Sequence, residues 1–262
     1  MKKLNSLLKK DKKIFISISS KPGKVGMKFY NSIFKKMKLN MVYRAIKPKN
    51  LNNIFNLMRK KKIKGCSVSM PYKNKVFKYI DYLDNVSEKL KILNTVVEKN
   101  GKLYGYNCDY FAINRIFKKF RISKYDKILI YGTGSLSKVL LFYLKKNNYK
   151  KINLIGRNSS KVSKLRHIFG LSERKKKYDI LINCSSLGMK GLPKKIMFEK
   201  KVIENSNLVI DFVNKPRKTN LIRIAKKLKK KYCDGIEISS NQLQDQFKVY
   251  TGYNLPKKYY LK

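Results

Sequence analysis

Gly132-Thr133-Gly134-Ser135-Leu136-Ser137 follows directly on the apolar run Lys127-Ile128-Leu129-Ile130-Tyr131 and leads into good helix formers from Lys138 to Lys145. This is the order strand, glycine loop, helix that cradles a dinucleotide. The first glycine permits the tight turn, and the second lets the backbone approach a pyrophosphate. Ser137, in the third place, is small enough for the helix to pack on the strand, with its N-terminal amides and dipole facing the phosphates. Gly132 to Ser137 are therefore the candidate cofactor-binding residues. About 20 residues further on, an NAD site places Asp or Glu at the end of the second strand to hold the ribose 2′-hydroxyl. This chain has Gly156-Arg157-Asn158-Ser159-Ser160-Lys161 there, with no carboxylate. Arg157 and Lys161 can instead hold a 2′-phosphate, with Asn158 between them, so NADP is expected over NAD. The missing acid is the stronger part of that argument, because any given basic residue means little in a chain with 64 of them.

The elements that must position this loop alternate regularly. Ile14–Ile18, Met41–Ile46 and Gly65–Met70 read as strands, the last stopped by Pro71, with helical spacing over Lys28–Met37 and Leu51–Lys61 between them. Asn94–Glu98 and Leu103–Asn107 read as a hairpin turned at Asn100-Gly101. A helix follows from about Tyr110 to Phe120. A second alternating run then has strands at Ile128–Tyr131, Ile152–Ile155, Ile180–Cys184 and Val209–Val213, and closes with helices near Leu221–Lys231 and Asn241–Thr251. Strand–helix alternation argues for parallel sheets with helices on their faces. Two α/β units joined near Asp109 are the economical division of the chain.

The composition is globular: 43% hydrophobic and 12% aromatic over 262 residues, enough for a sizeable core. The formal net charge of +49 points on its face to nucleic acid or an anionic membrane. Its lysines are scattered, however, and accompany abundant Asn, Ile, Tyr and Phe with no Trp, the set that A/T-rich codons would supply together. No aromatic-interleaved RNA-binding pattern or separate basic tail accompanies the charge, so a specific nucleic-acid partner is not expected. A positive field still attracts anionic substrates and repels a second copy of the chain, which leaves monomer or homodimer open. Cys66, Cys108, Cys184 and Cys233 form no CxxC and have no histidine at metal-ligand spacing; the one histidine, His167, lies in a helical stretch. No metal site is expected, and unpaired thiols suit a reducing cytoplasm. MKKLNSLLKKDKK lacks an apolar core after its basic start, so no signal peptide is expected, and no stretch reaches the roughly 18 apolar residues that span a bilayer.

Ser69-Met70-Pro71-Tyr72-Lys73, Leu93-Asn94-Thr95-Val96-Val97 and Gly105-Tyr106-Asn107-Cys108-Asp109, in that order, resemble the V-T-x-P-x-K, V-N-T and G-x-N-T-D segments of shikimate dehydrogenases. The glycine loop, Ile182–Met189 and Asp234-Gly235 through Gln242 continue the likeness over nearly the whole chain. The wording of Gly65–Pro71 resembles the shikimate dehydrogenase-like subgroup. The resemblance implies a substrate-binding domain over 1–108 and 236–262, a Rossmann-type NADP-binding domain over 109–235, and a cleft between them. It implies reversible reduction of 3-dehydroshikimate to shikimate, a step towards aromatic amino acids. Lys73 would give and take the proton, Asp109 would pair with it and hold a substrate hydroxyl, and Ser69, Asn94 and Gln242 would contact substrate. Gly235 would join the cofactor residues.

A ketone reduction needs a hydride donor and a proton donor at the forming alkoxide, and a lysine just past a strand-ending proline can project where α/β sites lie. Two departures stand out. The family's N-terminal Ser-x-Ser, which binds the substrate carboxylate, is missing from Ser20–Met27, leaving Ser17, Ser19 and Lys24 as unresolved substitutes. The family tyrosine is replaced within Asp211-Phe212-Val213-Asn214. Quinate or another polyhydroxylated ring acid is accordingly the alternative substrate. A basic nucleic-acid-binding protein on a retained dehydrogenase scaffold is the alternative of a different class.

Overall fold

A computed structural model describes residues 11–171, 177–193 and 195–260. The basic N-terminal segment up to residue 10 lies outside them.

The chain divides into two compact units, one comprising the residues up to Cys108 together with Leu243–Tyr260, the other Asp109–Gln242. In the first, strands β1 (Lys13–Ile18), β2 (Met41–Ile46) and β3 (Gly65–Val68) alternate with helices α1 (Val25–Lys36) and α2 (Leu51–Arg59). Then come β4 (Tyr82–Leu83), α3 (Asn85–Leu90), β5 (Thr95–Lys99) and β6 (Lys102–Tyr106). The second contains α4 (Cys108–Lys119, its first residue in the other unit), β7 (Ile128–Tyr131), α5 (Ser135–Lys146), β8 (Ile152–Ile155) and α6 (Ser159–Phe169). It continues through β9 (Ile180–Asn183), α7 (Lys200–Glu204), β10 (Leu208–Asp211), α8 (Asn220–Lys227) and β11 (Lys231–Cys233). Helix α9 (Gly235–Thr251) begins in the second unit and ends in the first.

The first sheet has the order β2-β1-β3-β5-β6-β4. Its first three strands are parallel, but β5 runs antiparallel to both β3 and β6. The hairpin that Asn100-Gly101 specifies thus makes this sheet mixed, not wholly parallel. Both turn residues have positive φ, 52° and 81°, as a type I′ turn requires.

Alternation along β1 sends Ile14, Ile16 and Ile18 to one face, where they join Ile54, Phe55 and Met58 of α2 in a buried cluster. The opposite face receives Phe15 and Tyr43, packed with Tyr30 and Phe34 of α1 and Phe247 and Tyr250 of α9. Tyr30 and Tyr43 stack with ring centroids 4.5 Å apart.

The second sheet, β11-β10-β9-β7-β8, is parallel throughout. Its three central strands are buried almost without interruption, which is why they appear in the sequence as continuous apolar runs. The strand order reverses between β7 and β9. Ligands of open α/β sheets bind at such a switch point, beyond the carboxyl ends of the strands.

Candidate active site

In the second unit the glycine loop occupies that switch point. Gly132 follows β7 with φ of 123°, and a Cβ there would come within 3.1 Å of the Cys184 carbonyl carbon and the Ser185 nitrogen. Only glycine fits, because the obstructing atoms are backbone. Gly134 is different. Its φ of −81° suits any residue, and a Cβ would meet nothing within 4 Å. The protein itself does not need glycine at 134; a group approaching from outside would.

Gly134 is also the N-cap of α5 and gives no side-chain cap, and the first turn holds no acidic residue. The first-turn amides from Ser135 onward are those that a helix of this length leaves to a capping group or a ligand. Ser137 is fully buried. Leu136 follows Ser135 in the same first turn. Thr133 supports the loop from the side, its methyl 3.4 Å from where a Cβ on Gly156 would stand.

Arg157 is exposed just past the end of β8 and makes no ion pair among the described residues. Lys161 is exposed one turn into α6. Asn158 is already committed: it is the N-cap of α6, and its Oδ1 accepts from the Lys161 amide at 2.8 Å. Gly235 has a steric reason of its own, since a Cβ there would collide with the Val213 carbonyl.

In the first unit three of the expected substrate residues converge through their main chains. The Val68 amide donates to Asn94 O at 2.7 Å, and the Leu93 amide to Lys73 O at 3.3 Å. Ser69, exposed, donates its amide to Ile18 O at 3.0 Å. Ser69, Lys73 and Asn94 therefore gather at the carboxyl ends of β1 and β3. Ser19 and Ser20 are bonded to Ile46 and Met70 at the same end, while Lys24 sits as N-cap of α1 without capping it through its side chain.

Asn94 is 1% exposed. Its Oδ1 accepts from the Cys108 amide and the Thr95 hydroxyl, each at 2.9 Å. Because an amide N–H can only donate, this bond fixes which end of the carboxamide is oxygen. Nδ2, on the other end, has no hydrogen-bond partner among the described residues. A buried donor left unmade costs about 1–3 kcal/mol, and an oxygen of a bound ligand would remove that cost.

Asp109 and Gln242 belong to the second unit. Asp109, 9% exposed, lies in the first turn of α4. Burial, with lesser contributions from the Asp211 and Asp109 carboxylates, pushes the Cys184 thiol up. Gln242 is half-buried on α9.

Asp211, the last residue of β10, is fully buried. Burial pushes its carboxyl up against the hydrogen bonds it receives from Thr219, Val213 and Asn183. It holds the loops after β9 and β10. Two residues beside Asn94 were not singled out by sequence: Thr95, and Gln246, one helical turn beyond Gln242. The signal available was that i, i+4 pair of glutamines.

The family model described as "Shikimate dehydrogenase substrate binding domain" matches residues 25–96. A shikimate dehydrogenase-like protein of Haemophilus influenzae is 30% identical over 251 residues, covering 94% of this chain and 93% of that one. A shikimate dehydrogenase (NADP(+)) of Clostridium beijerinckii is 31% identical over 82% of this chain and 83% of its own. Among solved structures, a shikimate 5-dehydrogenase-like protein superposes with a TM-score of 0.89 at 29% identity, covering 95% of each chain. A unit with a parallel sheet and a glycine loop at its switch point, and a unit with a mixed sheet and polar side chains at its strand ends, define a two-unit α/β dehydrogenase fold. The chain belongs to the shikimate dehydrogenase family.

Proposed function

We propose that the protein is an NADP-dependent oxidoreductase that interconverts 3-dehydroshikimate and shikimate. The observation that carries this reading is the bare amino end of α5, with a glycine at 134 that the protein's own packing does not demand. NADPH, when bound, supplies the hydride. The residues that would hold it are Gly132–Ser137 at the pyrophosphate and Arg157 with Lys161 at the 2′-phosphate; Asn158 and Gly235 would serve by shaping the backbone there.

On the substrate side, the Lys73 ammonium gives a proton to the carbonyl oxygen during reduction and recovers it during oxidation. Asn94 donates through Nδ2 to a ring hydroxyl. Asp109 accepts from a hydroxyl of the substrate. Ser69 and Gln242 add hydrogen bonds to the ring. In this division the residues up to 108 with 236–262 form the substrate-binding domain and 109–235 the NADP-binding domain. We place the protein in the cytoplasm, where four buried free thiols persist, acting as a monomer or homodimer.

Purified protein given shikimate and NADP should form NADPH, and Lys73→Ala should abolish it. A wild type as inert on shikimate as the variant would refute the substrate assignment. The lost Ser-x-Ser favours a second reading, quinate or a related ring acid, which a comparison of kcat/KM across those acids decides.

A further inference from the structure

A chain of buried hydrogen bonds runs from the aromatic face of the first unit to Asn94. The Tyr30 hydroxyl reaches Gln246 Oε1 at 3.1 Å and the Ser67 hydroxyl reaches the same oxygen at 3.3 Å. Ser67 is in turn 2.7 Å from the Tyr43 hydroxyl and 2.6 Å from that of Tyr250. Burial pushes the three phenols up, so they remain neutral hydroxyls. With its oxygen turned towards these hydroxyls, Gln246 presents Nε2 to Thr95 Oγ1 at 2.9 Å. Thr95 Oγ1 thus accepts a hydrogen bond from Gln246 and must direct its own proton elsewhere. Its two acceptors are Asn94 Oδ1 at 2.9 Å and Cys108 Sγ at 3.3 Å, and the oxygen is both nearer and stronger.

We infer that Gln246 is a positioning residue for substrate binding. Through Thr95 it holds the Asn94 carboxamide with Oδ1 inward and doubly bonded and Nδ2 as the donor left for a substrate oxygen. The inner directions follow from one another: the Cys108 amide makes Asn94 Oδ1 an acceptor, Thr95 donates to it, and Gln246 Nε2 must then donate to Thr95. Gln246 is 3% exposed and Thr95 fully buried, so no water replaces a broken link cheaply. Gln246 is tied to Asn94 through Thr95 and, at 3.5 Å, by Nε2 to Asn94 O. The inference rests on the proposed role of Asn94 in holding substrate.

Glutamate at 246 is the discriminating substitution. Ionised, it can only accept, so Thr95 would turn its proton towards residue 246 and face Asn94 Oδ1 with a lone pair. Gln246→Leu removes the relay outright. Steady-state kinetics with shikimate and NADP should show KM for shikimate raised about tenfold in both variants, the effect of one weakened hydrogen bond. KM for NADP should be unchanged, and Thr95→Ser, which keeps the hydroxyl, should behave as wild type. In an Asn94→Ala background Gln246→Leu should change kcat/KM no further, because both act through one donor.

A wild-type KM for shikimate in Gln246→Glu, or an undiminished effect of Gln246→Leu in the Asn94→Ala background, overturns the inference. Should Gln246→Leu fail to fold, the near-isosteric Gln246→Glu decides alone. If Asn94→Ala itself keeps the wild-type KM, the assignment of Asn94 to substrate falls, and the role of Gln246 falls with it.

Discussion

Gly132 is pressed against Cys184: a single added carbon on the glycine would lie 3.1 Å from the cysteine's carbonyl carbon, across the carboxyl ends of two neighbouring strands. Gly132→Ala meets immovable backbone and also the strain of a φ of 123°. A cost of about 2 kcal/mol or more is expected, lowering Tm by at least about 5 °C. Gly134→Ala should leave Tm unchanged and raise KM for NADPH tenfold or more, by roughly the loss of one phosphate contact. A calorimetric scan beside a cofactor titration separates the two. Equal cofactor affinity in Gly134→Ala and wild type would remove the pyrophosphate from this loop.

Cofactor choice should follow the exposed guanidinium after β8. Arg157→Ala loses one charge-assisted contact to the 2′-phosphate, worth about 1.5–3 kcal/mol. KM for NADPH should rise roughly tenfold to a hundredfold, with KM for NADH unaffected. A parallel rise for both cofactors would contradict a 2′-phosphate site at Arg157.

Lys73→Ala should be a defect of chemistry, not of folding, since Lys73 is half-exposed. Loss of a proton donor of this kind typically costs about 10²- to 10⁴-fold in kcat. Thermal melting should match wild type. A variant that retains kcat would move the proton transfer to another group.

The segment after Lys73 is anchored by Arg59, whose guanidinium grips both Asp81 oxygens at 2.9 and 3.1 Å, while the Leu103 amide donates to Asp81 Oδ2 at 2.7 Å. The guanidinium, against the opposing effect of burial and with help from that amide, holds the Asp81 carboxyl below the usual range. A depressed folded-state pKa stabilises the fold above the unfolded value of about 3.9 and ceases to do so as pH falls through the folded value. Asp81→Asn should therefore be less stable at pH 7, by no more than about 1 kcal/mol for so exposed a pair. The difference should close below about pH 4. Denaturation curves that stay apart at pH 2.5 would rule this out.

Much of the fold could be read from local pattern. β7, α5 and β8 announce themselves because a strand buried on both faces is a continuous apolar run and the turn after it needs glycine at one defined place. Asn100-Gly101 specified its hairpin for the same kind of reason. β4 and α3 were not foreseen, being two and six residues long, too short to show a period. The last turn expected of α8 is absent: the helix ends at Lys227, Lys229 adopts φ of 54°, and the basic run passes into β11. At the site, residue types near the strand ends were legible because their chemistry is local. The partners of Asn94 were not, since Thr95 and Gln246 meet across 151 positions of sequence and nothing in either neighbourhood signals the other.

The aromatic face of the first unit is covered by Phe247 and Tyr250, which arrive only with the second half of α9. A ribosome therefore makes the beginning of this unit first and its missing side last. While the intervening chain is synthesised, Phe15 and Phe34 have no access to either ring. The domain that is started first becomes the last to be finished, and a stop codon before residue 247 would leave the earlier residues with an apolar wall facing water.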